Sequence, residues 1–524
     1  MPRVLIADKL SPAAVQIFKE RGVEADTKTG LSKDELLQII GDYDGLAIRS
    51  ATKVDKDVLA AAKKLKVVGR AGIGVDNVDV PAATQSGVVV MNTPFGNSIT
   101  TAEHAIAMMF ALARQLPQAD LSTQAGKWEK NRFMGVELSG KTLGIIGCGN
   151  IGSIVADRAL GLRMKVVAYD PFLSPERAVE IGVEKVELDD LLARADLISL
   201  HTPLTDKTRN VLSRDALLRT KKGVLIVNCA RGGLVDEKAL RELLDSGHIG
   251  GAGFDVFVEE PAKENVLFGA ANFIATPHLG ASTLEAQENV ALQVAEQISE
   301  FLLTGAVSNS LNSPSISAED APKLRPYIAL AERLGAFAGQ MVDNGFKSVA
   351  IAYEGDVSKV NVKPLTSAAL AAAMRPMLSE VNVVSAPAIA KARGIPVSEV
   401  RQEMSPTYDS LMRITVTHEG GEVTLAGTVI GGVPRLVQIK GMDLDAPFCP
   451  DMLYVNNQDR PGFIGRLGSL FGDAAINIST FYLGRMASGD DAIALVGVDQ
   501  PPTESLLARV KTLPYVKEVR FLRF

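Results

Sequence analysis

Histidine and cysteine are scarce in this 524-residue chain, which holds five of the first and three of the second. Cys148, Cys229 and Cys449 are odd in number and far apart, which argues against a disulfide framework and against a cysteine-based zinc site. No metal is therefore expected. No apolar run reaches the roughly 18 residues of a spanning helix; the best, residues 105–113, is flanked by Glu103, His104 and Arg114. Long basic blocks are absent and the net charge is only −6, so neither nucleic acid nor an anionic membrane surface is an expected partner. The opening MPRVLIADKL lacks a long apolar segment and a small-residue cleavage site, and it passes straight into a strand pattern, as expected of a cytoplasmic protein. Apolar residues at 47% and charged residues at 22% describe an ordinary soluble globular protein, of a length that calls for three or four domains. Small-molecule chemistry is what remains.

From residue 1 to about 310, short β-branched runs alternate with helical patterns: VLIAD (4–8), GLAIRS (45–50), TLGIIG (142–147), KVVAYD (165–170), DLISLH (196–201), VLIVN (224–228) and NFIATP (272–277). Repeated strand and helix units of this kind predict mostly parallel sheets covered on both faces. Thr100 and Glu103 have capping-box spacing, which predicts a helix over about 101–115 connecting two α/β lobes. A second helical pattern, roughly 283–304, would carry the chain back to the first lobe and make that lobe discontinuous. The Ser-, Pro- and Asn-rich segment 309–326 reads as a linker. Beyond it come an Ala-rich helical stretch near 366–398, an alternating region at 423–446, and a turn-rich break at 445–451. From Met452 to Phe524 the order is strand, helix, strand, strand, helix, strand, a ferredoxin-like βαββαβ unit.

The sharpest motif is TLGIIGCGNIGSIVADRALGLRMKVVAYD. Gly147, Gly149 and Gly152 follow a strand and open a helix, and Asp170, 18 residues beyond Gly152, ends the next strand. Glycines permit backbone approach to a pyrophosphate, and the helix N-terminus offers N–H groups to it. An acidic strand end about 20 residues on accepts a ribose diol and repels a 2′-phosphate, so NAD is the expected cofactor, with Arg177 nearby as the contrary feature. GRAGIGVDN has Gly72 and Gly74 but Asn77 where the third glycine belongs, and reads as a loop approaching a ligand. A nicotinamide enzyme also needs an acid/base and a group to hold substrate. His104, His248 and His418 suit structural or surface roles; His201 follows the strand DLISL and is a rival to His278, which follows NFIAT at a carboxyl strand end. Arg231 and Glu260 follow other strands, and suit a substrate carboxylate and the orientation of an imidazole. Residue by residue, the alternative stays open that Arg231 and Glu260 form a surface ion pair and His278 caps a turn.

GIIGCGNIG, LHTPLT, NCARGGLVDEKAL, FDVFVEEP and TPHLGAST, in this order, closely resemble the D-isomer-specific 2-hydroxyacid dehydrogenases. RSATKV, GRAGIGVDNVD, NTPFGNS and GKWEKNRFMGVEL extend the resemblance to the long members of that family. It implies two Rossmann-like doubly wound lobes, a substrate lobe (1–98 plus 284–308) and an NAD-binding one (99–283). An α+β intervening domain, allosteric-substrate-binding-like (309–446), and an ACT regulatory domain (451–524) would follow. It implies catalysis by Arg231, Glu260 and His278, cofactor contacts at Asn150, Ile151, Asp170, Thr202, Cys229, Ala230, Asp255 and Gly280 beside the three glycines, and substrate contacts at Arg49, Ser50, Gly74 and Asn97. Lys130 and Arg132 are further candidates for a phosphate. The implied reaction is NAD-dependent oxidation of 3-phospho-D-glycerate in L-serine synthesis. The rivals are another 2-hydroxy acid, 2-oxoglutarate reduction, or a dinucleotide-sensing corepressor-like protein. A homotetramer is implied, as is L-serine as effector at Asn457, Asp459 and Asn477, although Asn457 departs from the His or Tyr of regulated relatives.

Overall fold

The computed structural model describes every residue except Asn344, 379–380, Pro406 and 486–490. Its first sheet is wholly parallel, in the spatial order Glu24–Thr27, Arg3–Ile6, Gly45–Ile48, Val67–Arg70, Val89–Asn92. The 21-residue helix Leu284–Thr304 returns to this sheet, and its Val294 and Ile298 join the core of Val4, Ile6 and Val67. Gly69 makes that approach possible: a Cβ there would stand 2.6 Å from Val294 and Ile298.

The second sheet is also parallel, ordered Phe273–Ala275, Ile249–Phe254, Val224–Asn228, Leu197–Leu200, Thr142–Ile146, Lys165–Tyr169, Glu184–Lys185. Helices Ser98–Arg114 and Asn150–Gly161 bury Ala105, Met109, Val155 and Ala159 on one face. Leu191, Ala216 and Leu240, from three other helices, cover the opposite face. Chain order reverses on either side of Thr142–Ile146, and that crevice is where open α/β sheets hold ligands.

Two local expectations fail. The connecting helix begins at Ser98 with Asn97 as its N-cap, so Thr100 and Glu103 lie inside it and form no capping box. Thr100 Oγ1 instead lies 3.3 Å from Thr283 Oγ1, because the turn after Pro94, closed by the Ser98 hydroxyl donating to the Pro94 carbonyl, starts the helix earlier. The segment 309–326 is likewise no free linker. Ser310 bridges Met91, the Leu311 N–H donates to Val90, and Asn312 side-chain groups bond the Val88 carbonyl and the Val90 N–H. From Asp320 the chain is already helical.

The third sheet adds one parallel strand, Val397–Gln402, to an antiparallel series: Ser348–Gly355, Ser410–His418, Gly421–Ile430, Val433–Ile439, Met442–Pro447. Helices Asp320–Gln340 and Lys363–Met374 cross it in very close contact. Cβ atoms on Gly335 and Gly339 would lie 2.2 and 2.1 Å from the carbonyl oxygens of Ala369 and Ala373. The fourth sheet is antiparallel in the order Ile478–Arg485, Asp491–Val498, Asp451–Gln458, Val516–Arg523, the ferredoxin-like arrangement. Phe337 of the long helix meets Tyr454 edge-on at 6.1 Å, and Arg520 holds Asp343 through two hydrogen bonds of 2.7 Å, so the last two units share a core.

No helix among the described residues is long and apolar enough to cross a membrane. Because the Gly339 contact is with backbone, which cannot give way as a side chain can, Gly339→Val is expected to destabilise the chain by about 3 kcal/mol. Denaturant unfolding followed by circular dichroism checks this; a midpoint within error of the parent would show that the helices can part at no cost.

Candidate active site

The three glycines at the start of Asn150–Gly161 serve three different ends. Gly147 takes φ +92° and a Cβ on it would lie 2.7 Å from the His201 carbonyl oxygen; a Cβ on Gly152 would lie 2.1 Å from that of Gly147. Both fix the turn against its neighbours. Gly149 has nothing within 4 Å of its Cβ position, which leaves open the face a pyrophosphate would approach. Asp170 is held at its strand end by N–H groups of Cys148 and Phe172, each donating at 2.8 Å to a different carboxylate oxygen. Arg177 is turned to Glu180 at 2.6 Å. Thr202, Cys229, Ala230, Asp255 and Gly280 all follow carboxyl ends of the same sheet, so this donor set fits a dinucleotide lying across them. Burial, with Asp170 beside it, pushes the Cys148 thiol up to about 11; burial raises Cys229 as well, so both stay neutral near pH 7.

His278 stands on the turn after Phe273–Ala275 in the left-handed region, φ +56°, which is unfavourable for a residue with a side chain. The carboxylate of Asp255, 1% exposed, holds that turn. It accepts from the Leu279 N–H at 2.7 Å, the Gly280 N–H at 2.8 Å and the Thr276 hydroxyl at 2.6 Å, while the Asp255 carbonyl accepts from the His278 N–H. His104 Nε2 lies 3.3 Å from the same carboxylate and 3.2 Å from Thr276 Oγ1. Burial alone would raise the Asp255 pKa, but the bonds from His104, Thr276, Leu279 and Gly280 outweigh it and hold it below the usual range. His104 thus has a structural role on the site itself, and Asp255 is a strut of the turn as well as an expected cofactor contact.

His278 Nδ1 lies 2.6 Å from Glu260 Oε2, and the other Glu260 oxygen accepts from the Phe257 N–H at 3.0 Å. The hydrogen bond to Glu260 raises the His278 pKa above its ordinary value, more than partial burial lowers it. With Nδ1–H given to Glu260, Nε2 is left for a substrate. Arg231 does not pair with Glu260. Its Nε reaches Asp76 at 3.1 Å, across from the first sheet's lobe, and Nη1 donates to the Ala230 carbonyl. Gly74 is crowded by it, since a Cβ there would lie 1.8 Å from Nη2.

Around this group the first lobe supplies positive charge. Arg49 follows the strand Gly45–Ile48, with its N–H donating to the Asp8 carboxylate, and Ser50 beside it is exposed. Asn97 is 8% exposed, and its side-chain carbonyl oxygen is buried without a partner among the described residues. Sequence reasoning missed Arg70, Asp76 and Asp8. Burial first, then Arg231 and Arg49, push the Arg70 pKa down to about 10, and its Nε is also unpartnered among the described residues. The signal was present, as Arg70 ends the four-residue strand VVGR inside a quoted motif. Arg132 pairs with Glu129 at 2.9 Å on an exposed turn shared with Lys130.

The remaining histidines are accounted for. Burial pushes His201 down to about 4, and it bonds Ser199 at 2.8 Å, so it stays neutral. His248 faces Thr220 and the Leu217 carbonyl, and His418 Nδ1 accepts from the Gly420 N–H. In the last unit Asn457 is 1% exposed and donates to the Gln458 carbonyl, Asp459 binds Arg485 at 2.9 Å, and Asn477 binds Asp499 at 2.7 Å. The structure gives these three separate partners.

Residues 106–280 match the model of the D-isomer specific 2-hydroxyacid dehydrogenase NAD binding domain, and 323–440 that of the D-3-phosphoglycerate dehydrogenase intervening domain. The chain is 42% identical over 526 residues to the D-3-phosphoglycerate dehydrogenase of Archaeoglobus fulgidus, covering 99% of each. It is 40% identical to that of Bacillus subtilis, covering 100% of this chain and 99% of the relative. A glyoxylate reductase crystal structure from Paecilomyes thermophila superposes with a TM-score of 0.55 at 31% identity, covering 59% of this chain and 98% of that one.

The pair of His278 and Glu260 makes one direct prediction. Since the carboxylate raises the imidazole pKa, Glu260→Gln should lower the His278 titration midpoint. NMR of the histidine ring signals reads it, and an unchanged midpoint would uncouple the two residues.

Proposed function

We propose a mechanism from the premise that this chain belongs to the D-isomer-specific 2-hydroxyacid dehydrogenase family, among its D-3-phosphoglycerate dehydrogenases. It is an NAD-dependent dehydrogenase that oxidises 3-phospho-D-glycerate to 3-phosphooxypyruvate, the reaction that opens L-serine synthesis. NAD, when bound, supplies the hydride acceptor. Arg231 holds the substrate carboxylate and the 2-oxygen, and an anion that takes its guanidinium displaces Asp76. His278 Nε2 accepts the hydroxyl proton, and Glu260 stabilises the imidazolium that results. Arg49 and Arg70 neutralise the phosphate, with Ser50, Gly74 and Asn97 at the substrate. The observation that carries this assignment is the 2.6 Å contact of His278 and Glu260 on the same strand ends as Arg231.

Four domains with the bounds expected from the sequence are our reading, and the presence of four separate sheets supports their number. Exposed apolar side chains at Leu121, Trp128 and Met134, from 70 to 87% accessible, support a homo-oligomer, for which a tetramer is our reading. L-serine as effector rests on Asn457, Asp459 and Asn477. A cytoplasmic location is the reading that fits a soluble biosynthetic enzyme.

NADH formation with 3-phosphoglycerate is expected to exceed that with lactate, glycerate or reduction of glyoxylate and 2-oxoglutarate; no turnover of any acid would favour a dinucleotide sensor. His278→Gln should lower kcat by about 10²–10⁴-fold while leaving NADH affinity nearly intact, and near-normal turnover would remove His278 from proton transfer. Asp170→Ala should weaken NAD binding selectively, as isothermal titration would show. Equal affinity in parent and variant would sink the ribose assignment.

A further inference from the structure

One sheet edge is left open to pairing, with charge as its one protection. All six residues of the strand Val397–Gln402 are exposed, including Val397 at 36% and Val400 at 45%. The strand has no proline, no lysine and no bulge, and it pairs with Ser348–Gly355 in unbroken parallel register. Edges of this kind are templates for another strand unless blunted. The opposite edge of the same sheet is covered: Met442–Pro447 lies against Ile478–Arg485, where a Cβ on Gly484 would stand 3.0 Å from the Asp443 carbonyl oxygen.

The ladder states which groups are free. The Val349 N–H donates to the Pro396 carbonyl, so in a parallel pair Ser398, Val400 and Gln402 turn their backbone groups inward, and Val397, Glu399 and Arg401 turn theirs to solvent. Among the described residues Arg401 has no ion-pair partner, while Glu399 accepts from the Thr366 hydroxyl through one oxygen and keeps the other.

We propose that Val397–Gln402 pairs antiparallel with the same strand of a second copy of this chain, about a two-fold axis through Val400. Charge selects that register. Centring the axis on Glu399 opposes two carboxylates, and centring it on Arg401 opposes two guanidiniums; both are unfavourable in directly opposed pairs. Centring it on Val400 places Glu399 opposite Arg401 of the second copy, twice by symmetry, in hydrogen-bonded positions that use the free backbone groups. Val400 then meets its own copy in a non-hydrogen-bonded position. The two six-stranded sheets become one of twelve strands. Six residues a side bury too little for a stable dimer on their own, so the pair acts as a clamp between subunits that also meet elsewhere.

Disulfide trapping in the full-length protein tests this directly. Cys449, the one thiol that is not buried, is first replaced by serine. A Val400→Cys pair would have Cα atoms about 4.5 Å apart, within disulfide reach, whereas Ser398→Cys residues would be on the order of 13 Å apart. Under copper-phenanthroline oxidation, Val400→Cys should give a covalent dimer on non-reducing gels at least about tenfold faster than Ser398→Cys. In the Val400→Cys background, Glu399→Arg or Arg401→Glu alone should slow trapping about tenfold, and the two together should restore it. Dehydrogenase activity checks that each variant is folded. Equal trapping at 398 and 400, or rates indifferent to charge reversal, would overturn the proposal.

Discussion

The buried carboxylate of Asp255 is the constraint on which the site depends. A lone charge at 1% exposure costs several kcal/mol in desolvation. Here two backbone N–H groups and a hydroxyl donate to it between 2.6 and 2.8 Å, and His104 stands close by. Hydrogen bonds to a charged group contribute roughly 1.5–3 kcal/mol each. Three of them offset the burial and exceed the 1–3 kcal/mol that a strained backbone conformation such as that of His278 costs. The left-handed turn at His278 therefore follows from Asp255, and the direction of its imidazole follows from the turn.

That direction has a chemical consequence. Glu260 is itself fixed by the Phe257 N–H, so it can meet only one ring nitrogen, and it meets Nδ1. Burial would raise the Glu260 pKa, yet the bonds from His278 and Phe257 hold it low. A carboxylate that stays ionised keeps its neighbour basic. His201, the other histidine at a strand end, shows the contrast: it is buried without a carboxylate and its pKa falls to about 4.

Much of this was legible in the sequence, and what was not has identifiable causes. β-branched runs located strands such as Arg3–Ile6, Thr142–Ile146, Lys165–Tyr169 and Val224–Asn228, because a strand buried on both faces has no polar positions to disguise it. Glu24–Thr27, which has no fully buried residue, and Ile249–Phe254, whose sequence IGGAGF is half glycine, carry no such run. The spacing of Thr100 and Glu103 misled because Ser/Thr with Glu three residues on also occurs inside helices, and only the backbone at Asn97 decides where the helix starts. His278, Glu260 and Arg231 were placed by their strand ends. Pairing is another matter: Arg231 with Asp76 joins residues 155 apart in the chain, and Asp255 with His104 joins two elements whose adjacency depends on the sheet order. No local pattern encodes either.

The partner of Arg231 also explains how the cleft tolerates its own charge. Arg49, Arg70 and Arg231 repel one another, and Arg70 is lowered to about 10 as a result of burial and of the other two. Asp8 and Asp76 offset part of that repulsion, but unequally. Asp8 is 5% exposed and tied to the N–H groups of Arg49 and Thr52, so it is a permanent part of the lobe. Asp76 has a side chain 75% accessible, and exposed ion pairs contribute only about 0–1 kcal/mol. A carboxylate that bound the guanidinium bidentately would displace Asp76 at little cost, because the displaced side chain is free to enter water. An anion in place of Asp76 would face the positive charge that Arg49, Arg70 and Arg231 share.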